Sequence, residues 1–408
     1  MSLEFKPGHV NLSTGGIGVF VFDPSKREAR ESRLADVYDS SRMADALDNI
    51  HCISRQLVAR DMRTLDELDI NTTYAIASAT TKPFGAGTNT AANARKVAAM
   101  MDMILGSDGA FKKRPVCWAG GTTVVSPLRI QDEEQDLIPT AIEEGFPVLQ
   151  VLVPQSGTSG PASLAGTLAL SIAEALFVLC WVNLLKPGHP LLFGGWPFTS
   201  DLRTGAFSGG GGEQALLMAA SAQMANYYGI PSSIAAGMTD SKLNDFQTGA
   251  EKSMTVLSAA LSGSPLIFAY PGMLSSIMGL SYAQMVLDNE MMGNVLRMVR
   301  GIEVSDERLA VSIVEDCAVD PGHFIAHPQT MDLMETEYLY PSLGDRRGLN
   351  EWLEAEPETI EERAEAVANQ ILATHFPKHI DPATDQALRA AFDIKLPESR
   401  MRPSGKGV

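Results

Sequence analysis

The stretch PLLFGGWPFTSDLRTGAFSGGGGEQALL, residues 190–217, decides how the chain is read. Leu191, Leu192 and Phe193 follow the turn Lys186-Pro187-Gly188 and predict a short buried strand. Gly194 and Gly195 end it. Trp196, Phe198, Asp201 and Arg203 then crowd a long loop before four consecutive glycines and a helix opening at Glu213. A buried strand that delivers two aromatics, an acid and a base at its C-terminal end is the pattern of a site at a barrel mouth. The plainer reading is that the aromatics plug that end while Asp201 pairs with Arg203 on the surface.

The same rhythm recurs along the chain. Apolar runs at 50–53, 83–87, 115–119, 147–153, 190–193, 232–236, 265–269 and 284–287 alternate with helical patterns at 92–105, 137–144, 163–183, 213–228 and 247–261. Eight strands separated by about 30 residues each predict an α/β fold, a (β/α)8 TIM barrel. A small N-terminal hairpin at 10–24 and a helix at 33–47 precede it. An acidic C-terminal helical cap follows it, with helices expected at 306–316, 331–340 and 349–375. The expected division is therefore 1–48, 49–301 and 302–408, the last packed on the barrel and ending in a disordered tail from Arg400. Gly209–Gly212 lacks the G-x-G-x-x-G spacing of a dinucleotide site, and no Gly-Lys-Ser/Thr occurs.

A formal net charge of −17 over 408 residues argues against nucleic acid or an anionic membrane as partner. The four cysteines are far apart with no C-x-x-C pair, which suits buried thiols in a reducing cytoplasm. The apolar run 173–185 is shorter than the roughly 20 residues of a membrane span and is expected to be a helix packed against a subunit or an added layer. His323 and His327 have i,i+4 spacing but are bracketed by prolines with no third ligand at a recognisable interval, so no metal is expected.

In a barrel the site lies at the C-terminal ends of the strands. Those positions give Trp118, Gln155, Trp196, Asp240, Lys242, Tyr270 and Asp288, with Phe198 and Arg203 on the adjoining loop. Converging aromatic faces attract quaternary ammonium cations, at about 0.5–2 kcal/mol per contact. The block 238–252 adds a dense set of polar groups on one loop and the helix after it.

Several blocks together carry a resemblance. SGTSGPASLAG (156–166), SDLRTGA (200–206), GMTDSKLNDFQTGAEK (237–252), SYAQMVLDNE (281–290) and RGIEV (300–304) resemble the trimethylamine methyltransferase family, as do PGHF at 321–324 and YPSLGDRR at 340–347. The likeness runs from about residue 10 to 392. It implies a (β/α)8 barrel that moves a methyl group from a methylated amine to the cobalt of a corrinoid. That cobalamin would be supplied by a small corrinoid protein, with no cofactor held tightly by this chain, and homo-oligomers are expected. The chain is written in the twenty standard letters, so it is similar to the branch without pyrrolysine, which includes betaine methyltransferases. In such a site Trp196, Phe198 and Tyr270 would hold the cation, with Trp118 converging on the same mouth, while Arg203, Lys242 or His323 would hold a carboxylate. A binding protein that kept the aromatic cage without catalysis is the alternative. An enzyme for acidic small molecules, using the glycine run as an anion nest, is a third reading.

Overall fold

The computed structural model describes residues 3–6, 8–320 and 322–403. At its centre are short, buried, parallel-paired segments. Asn11–Ser13 pairs with Leu266–Phe268, which pairs in turn with Ser233–Ala235. Phe84–Ala86, Cys117–Gly121, Val148–Gln150 and Leu191–Leu192 lie side by side in that order. Single parallel bridges make the other joins, from Ser13 to Cys52, Ile53 to Phe84 and Phe193 to Ser232. Followed in order, the pairs lead from each segment to the next and back to residues 11–13. The ladder is interrupted at the three bridges rather than continuous.

Helices α1 (Leu34–Ala46), α2 (Leu65–Ala79), α3 (Ala91–Leu105), α4 (Ala110–Lys113), α5 (Glu134–Glu144), α6 (Leu164–Leu185), α7 (Gly212–Tyr227), α8 (Phe246–Leu261) and α9 (Tyr282–Arg300) are interleaved with these segments in an α/β architecture. Most begin where the sequence supplies a cap. The side chains of Thr64, Thr90, Ser163, Asp245 and Ser281 each accept a first-turn backbone N–H.

Two sequence expectations are corrected here. Residues 284–287 are not a strand but the first turns of α9. Ser281 caps that helix, and Gln284, Met285 and Asp288 bury one of its faces. The missing segment is Asn11–Ser13, which had been read as part of a hairpin. It carries polar residues in a buried setting, where Asn11 Nδ2 donates to the Pro265 carbonyl at 2.9 Å. The N-terminal hairpin is instead formed by Phe20–Asp23 and Glu28–Glu31.

Helix α6 is longer than its apolar run suggested. Its 22 residues have a mean hydropathy of 2.1 over the best window, long and apolar enough to cross a membrane by length and composition. One stripe, through Ser171, Glu174, Val178 and Val182, is buried. Glu174 accepts from Ser126 Oγ at 2.8 Å and Leu128 N at 2.9 Å. Elsewhere the helix exposes Phe177, Leu184 and Leu185.

The C-terminal segment holds α10 (Asp306–Leu309), α11 (Val311–Val319), α12 (Pro328–Leu333), α13 (Leu349–Glu354), α14 (Ile360–Thr374) and α15 (Pro382–Ala391). The helix expected over 306–316 is broken at Ala310, whose φ is 50°. Likewise the helix expected over 349–375 is interrupted around Pro357, a residue that lacks the N–H a helix interior needs. Helix α14 packs on α9 and α1, and α15 on α3. The tail is ordered further than expected: Arg400 reaches Asp39 at 2.6 Å from the turn Glu398–Met401. Residues 404–408 of the expected tail lie outside the described residues.

Candidate active site

The C-terminal ends of the paired segments enclose two connected spaces. The inner chamber, of about 270 Å³, is walled by Trp118, Trp196, Phe268 and Tyr270, with Arg55 at one side. The outer cavity, of about 760 Å³, is lined by Gln155, Phe198, Phe207, Asp240 and Lys242 among others. Ile17, Thr122, Val151, Trp196, Tyr270 and Ile277 line both and form the neck between them.

The aromatic walls are fixed by packing. Trp196 Nε1 donates to the Ser233 carbonyl at 2.7 Å, and its ring lies 4.9 Å from that of Phe268. Phe198 meets Phe207 edge-on at 5.0 Å. Trp118 occupies space that only glycine leaves free: a Cβ on Gly85 would lie 2.8 Å from its Nε1. Tyr270 has a left-handed backbone, φ 45°, and burial raises its phenol well above the ordinary value, so it stays neutral.

Behind Tyr270 lies a group the sequence reading had not assigned. Lys252 is fully buried, and its Nζ donates to the carbonyls of Gly237 at 2.8 Å and Tyr270 at 3.0 Å. It also pairs with Asp288 at 3.0 Å. Asp288 in turn accepts from Gly272 N at 2.7 Å and Gln284 Nε2 at 2.8 Å. Burial lowers the Lys252 pKa while Asp288 opposes that shift. The pair ties the ends of two segments to α9. Asp288, expected at the site, thus acts from behind the wall and lines neither space.

A strap on the outer-cavity side reaches the neck through Ile277. Ser275, Ser276 and Ile277 have φ of 53°, 52° and 66°. Such conformations cost of order 1–3 kcal/mol each outside glycine and persist only where the surroundings impose them. Here Ser275 N donates to Ser241 O and Ser276 N to Thr239 O, both at 2.7 Å. Asp240 completes the fixation by accepting from Ser276 Oγ at 2.6 Å, Ser208 Oγ at 2.6 Å and Gly209 N at 3.0 Å. Its carboxylate therefore braces the rim.

The remaining expected residues divide. Gln155 lines the outer cavity and accepts from Ser200 Oγ at 3.1 Å. Lys242 lies at the rim with its Nζ on the Asp240 carbonyl at 2.6 Å. Arg203 is 88% exposed and forked onto Asp201 at 2.7 Å, which holds the Asp201 pKa at about 2. The plainer reading of that pair holds. His323 is exposed between α11 and α12 and lines neither space. The first half of the glycine run is packed, since a Cβ on Gly209 would lie 2.7 Å from Met238 Cβ and one on Gly210 would meet Glu251 Oε2 at 2.4 Å, whereas Gly212 faces open space. Among the described residues no cluster of three or more His, Cys, Asp or Glu could hold a metal.

Comparison with known proteins addresses the family of the chain. The family model described as Trimethylamine methyltransferase (MTTB) matches residues 2–398. The chain is 30% identical to the glycine betaine methyltransferase of Desulfitobacterium hafniense (strain Y51), over 95% of this chain and 79% of that protein. It is also 30% identical to a trimethylamine methyltransferase of Methanosarcina barkeri (strain Fusaro / DSM 804), over 95% and 78%. The solved monomethylamine methyltransferase of Methanosarcina barkeri is 13% identical with a TM-score of 0.46, covering 90% of this chain and 73% of that one. A match to the family model along nearly the whole chain places it: the protein belongs to the trimethylamine methyltransferase family and is a methyltransferase.

Proposed function

We propose that the chain transfers a methyl group from a quaternary ammonium donor to the cobalt of a corrinoid carried by a partner protein, on a (β/α)8 barrel with a C-terminal helical segment. The observation that carries this reading is the inner chamber, whose walls are the faces and edges of Trp118, Trp196, Phe268 and Tyr270. Aromatic walls suit a cation whose charge disappears as the methyl leaves. A contacting carboxylate would stabilise the starting cation more than the transition state and slow the step.

A quaternary donor makes few demands on the protein. The departing amine is neutral, so no proton has to be delivered to it. The corrinoid supplies the electron pair that accepts the methyl group. The chain's residues hold the nitrogen, aim one methyl through the neck and keep water out. Ile277 and the Ser275–Ile277 strap narrow the neck, and the wider outer cavity leaves room for an acceptor to approach. The exposed apolar face of α6 supports association with a second copy.

The test is to mix the protein with reduced cobalamin and a panel of tetramethylammonium, trimethylammonioacetate and trimethylamine, following loss of the reduced cobalt absorbance and appearance of the demethylated amine. Turnover with a quaternary donor supports the proposal. Binding of these donors with no transfer to free or protein-bound corrinoid would leave a non-catalytic binding protein.

A further inference from the structure

Arg55 is the unexplained group of the inner chamber. It follows the paired residues Cys52 and Ile53 at their C-terminal end, and it is the charged side chain among the chamber's lining residues. Its Nη1 is buried without a hydrogen-bond partner. Among the described residues its guanidinium makes no hydrogen bond and no ion pair. The carboxylate that influences it, Asp69, is already occupied by Asn89 N at 2.7 Å and Asn93 Nδ2 at 2.8 Å. Burial lowers the Arg55 pKa and Asp69 only partly opposes this.

An arginine cannot relieve such burial by losing its proton at ordinary pH, so the buried, unpaired Nη1 is a standing cost. A ligand carboxylate removes that cost with two parallel hydrogen bonds. The Gly87 backbone flanks the fork, and a Cβ there would stand 3.5 Å from Nη1 and 3.7 Å from Cζ. The cations expected for this role are otherwise engaged: Arg203 on Asp201, Lys242 on a rim carbonyl, and His323 away from both spaces.

We infer that Arg55 is the carboxylate receptor of the site and that the donor is a short zwitterion, an N-methylated ammonium bearing a carboxylate. The inference rests on the aromatic-chamber reading above. A chamber of about 270 Å³ falls just below the roughly 300–1,000 Å³ of sites for drug-sized ligands, so only a few bonds separate cation and carboxylate.

Three probes separate the two ends of the ligand: trimethylammonioacetate carries both charges, tetramethylammonium the cation alone, and 3,3-dimethylbutanoate the carboxylate with a neutral tert-butyl group. Affinities are measured by calorimetry on the wild type, Arg55→Met and Arg55→Lys, with urea midpoints to confirm that each variant is folded. Arg55→Met should weaken the two carboxylates by roughly 10- to 100-fold, the worth of charge-assisted hydrogen bonds, and leave tetramethylammonium unchanged. Arg55→Lys should fall between, because it keeps the charge without the fork. Equal weakening of all three probes, or no change in any, overturns the inference. Should the wild type bind dimethylbutanoate through Arg55 but not tetramethylammonium, the carboxylate receptor stands and the aromatic-cation reading falls. If the wild type binds none of the three, both fall.

Discussion

Replacing Lys252 with methionine isolates the scaffold behind the site. Its ammonium makes three contacts, with Gly237 O at 2.8 Å, Tyr270 O at 3.0 Å and Asp288 at 3.0 Å, so all of its N–H donors are engaged. Methionine fills a similar volume but strands Asp288, 2% exposed, with only Gly272 N and Gln284 Nε2 for company. Breaking one side of a buried pair costs about 3–5 kcal/mol, a large part of the roughly 5–15 kcal/mol by which proteins are stable. Urea unfolding with Lys242→Met as the control measures the effect. Lys242 is an exposed rim residue whose loss should stay within about 0.5 kcal/mol. The double change Lys252→Met with Asp288→Leu should recover most of the loss, because two apolar groups replace the stranded charge. A Lys252→Met loss below about 1 kcal/mol would refute the buried pair. Because Tyr270 is pinned through its carbonyl, the same variant should also raise KM for the donor more than it lowers stability-corrected kcat.

Three further outcomes follow from other parts of the molecule. Trp118→Leu should weaken tetramethylammonium by roughly 3- to 30-fold, the range of a cation–π contact, while 3,3-dimethylbutanoate, which has no cation, binds as before. Glu134, buried beside Thr123, has its pKa raised from 4.5 to about 6 by burial. A carboxyl raised on folding binds its proton more tightly in the folded state, so stability should fall as pH rises from about 4.5 to 6, by about 2 kcal/mol. Glu134→Gln should flatten urea midpoints across that window. Arg203→Met should leave both the urea midpoint and the transfer rate unchanged, because the exposed Arg203 lines neither space and its partner Asp201 reaches only the outer cavity; a loss of transfer would return Arg203 to the site.

Much of the parallel pairing was readable because seven of its segments are short apolar runs, six of them opening at or just after a proline. The eighth, Asn11–Ser13, hides its burial behind an asparagine and a serine whose polar groups are absorbed by neighbouring chain, so no hydrophobic period marks it. The run at 284–287 looks like a strand in isolation. Its helical character lies in the cap at Ser281 and in buried residues as far on as Met292 and Val295. Helix α2 escaped notice because its buried face carries Asp69, Asn71, Thr72 and Thr73. Aromatic identity singled out Trp118, Trp196 and Tyr270, which wall the inner chamber, and Phe198, which lines the outer cavity instead. Charge was a poor guide. The loop cations Arg203 and Lys242 are conspicuous in sequence and satisfied in structure, whereas Arg55 and Lys252 sit in unremarkable surroundings. Their importance comes from burial, which only the folded chain reveals. The signal available for Arg55 was its place just after a strand run at 50–53.

The most direct measurement follows one methyl group. A donor carrying N-CD3 groups is incubated with the protein and reduced corrinoid, and both products are weighed by mass spectrometry. The account predicts one CD3 gained by the corrinoid for each one lost by the amine, with transfer falling in Trp118→Leu in step with donor affinity. Label that stays on a donor the protein demonstrably binds would contradict it.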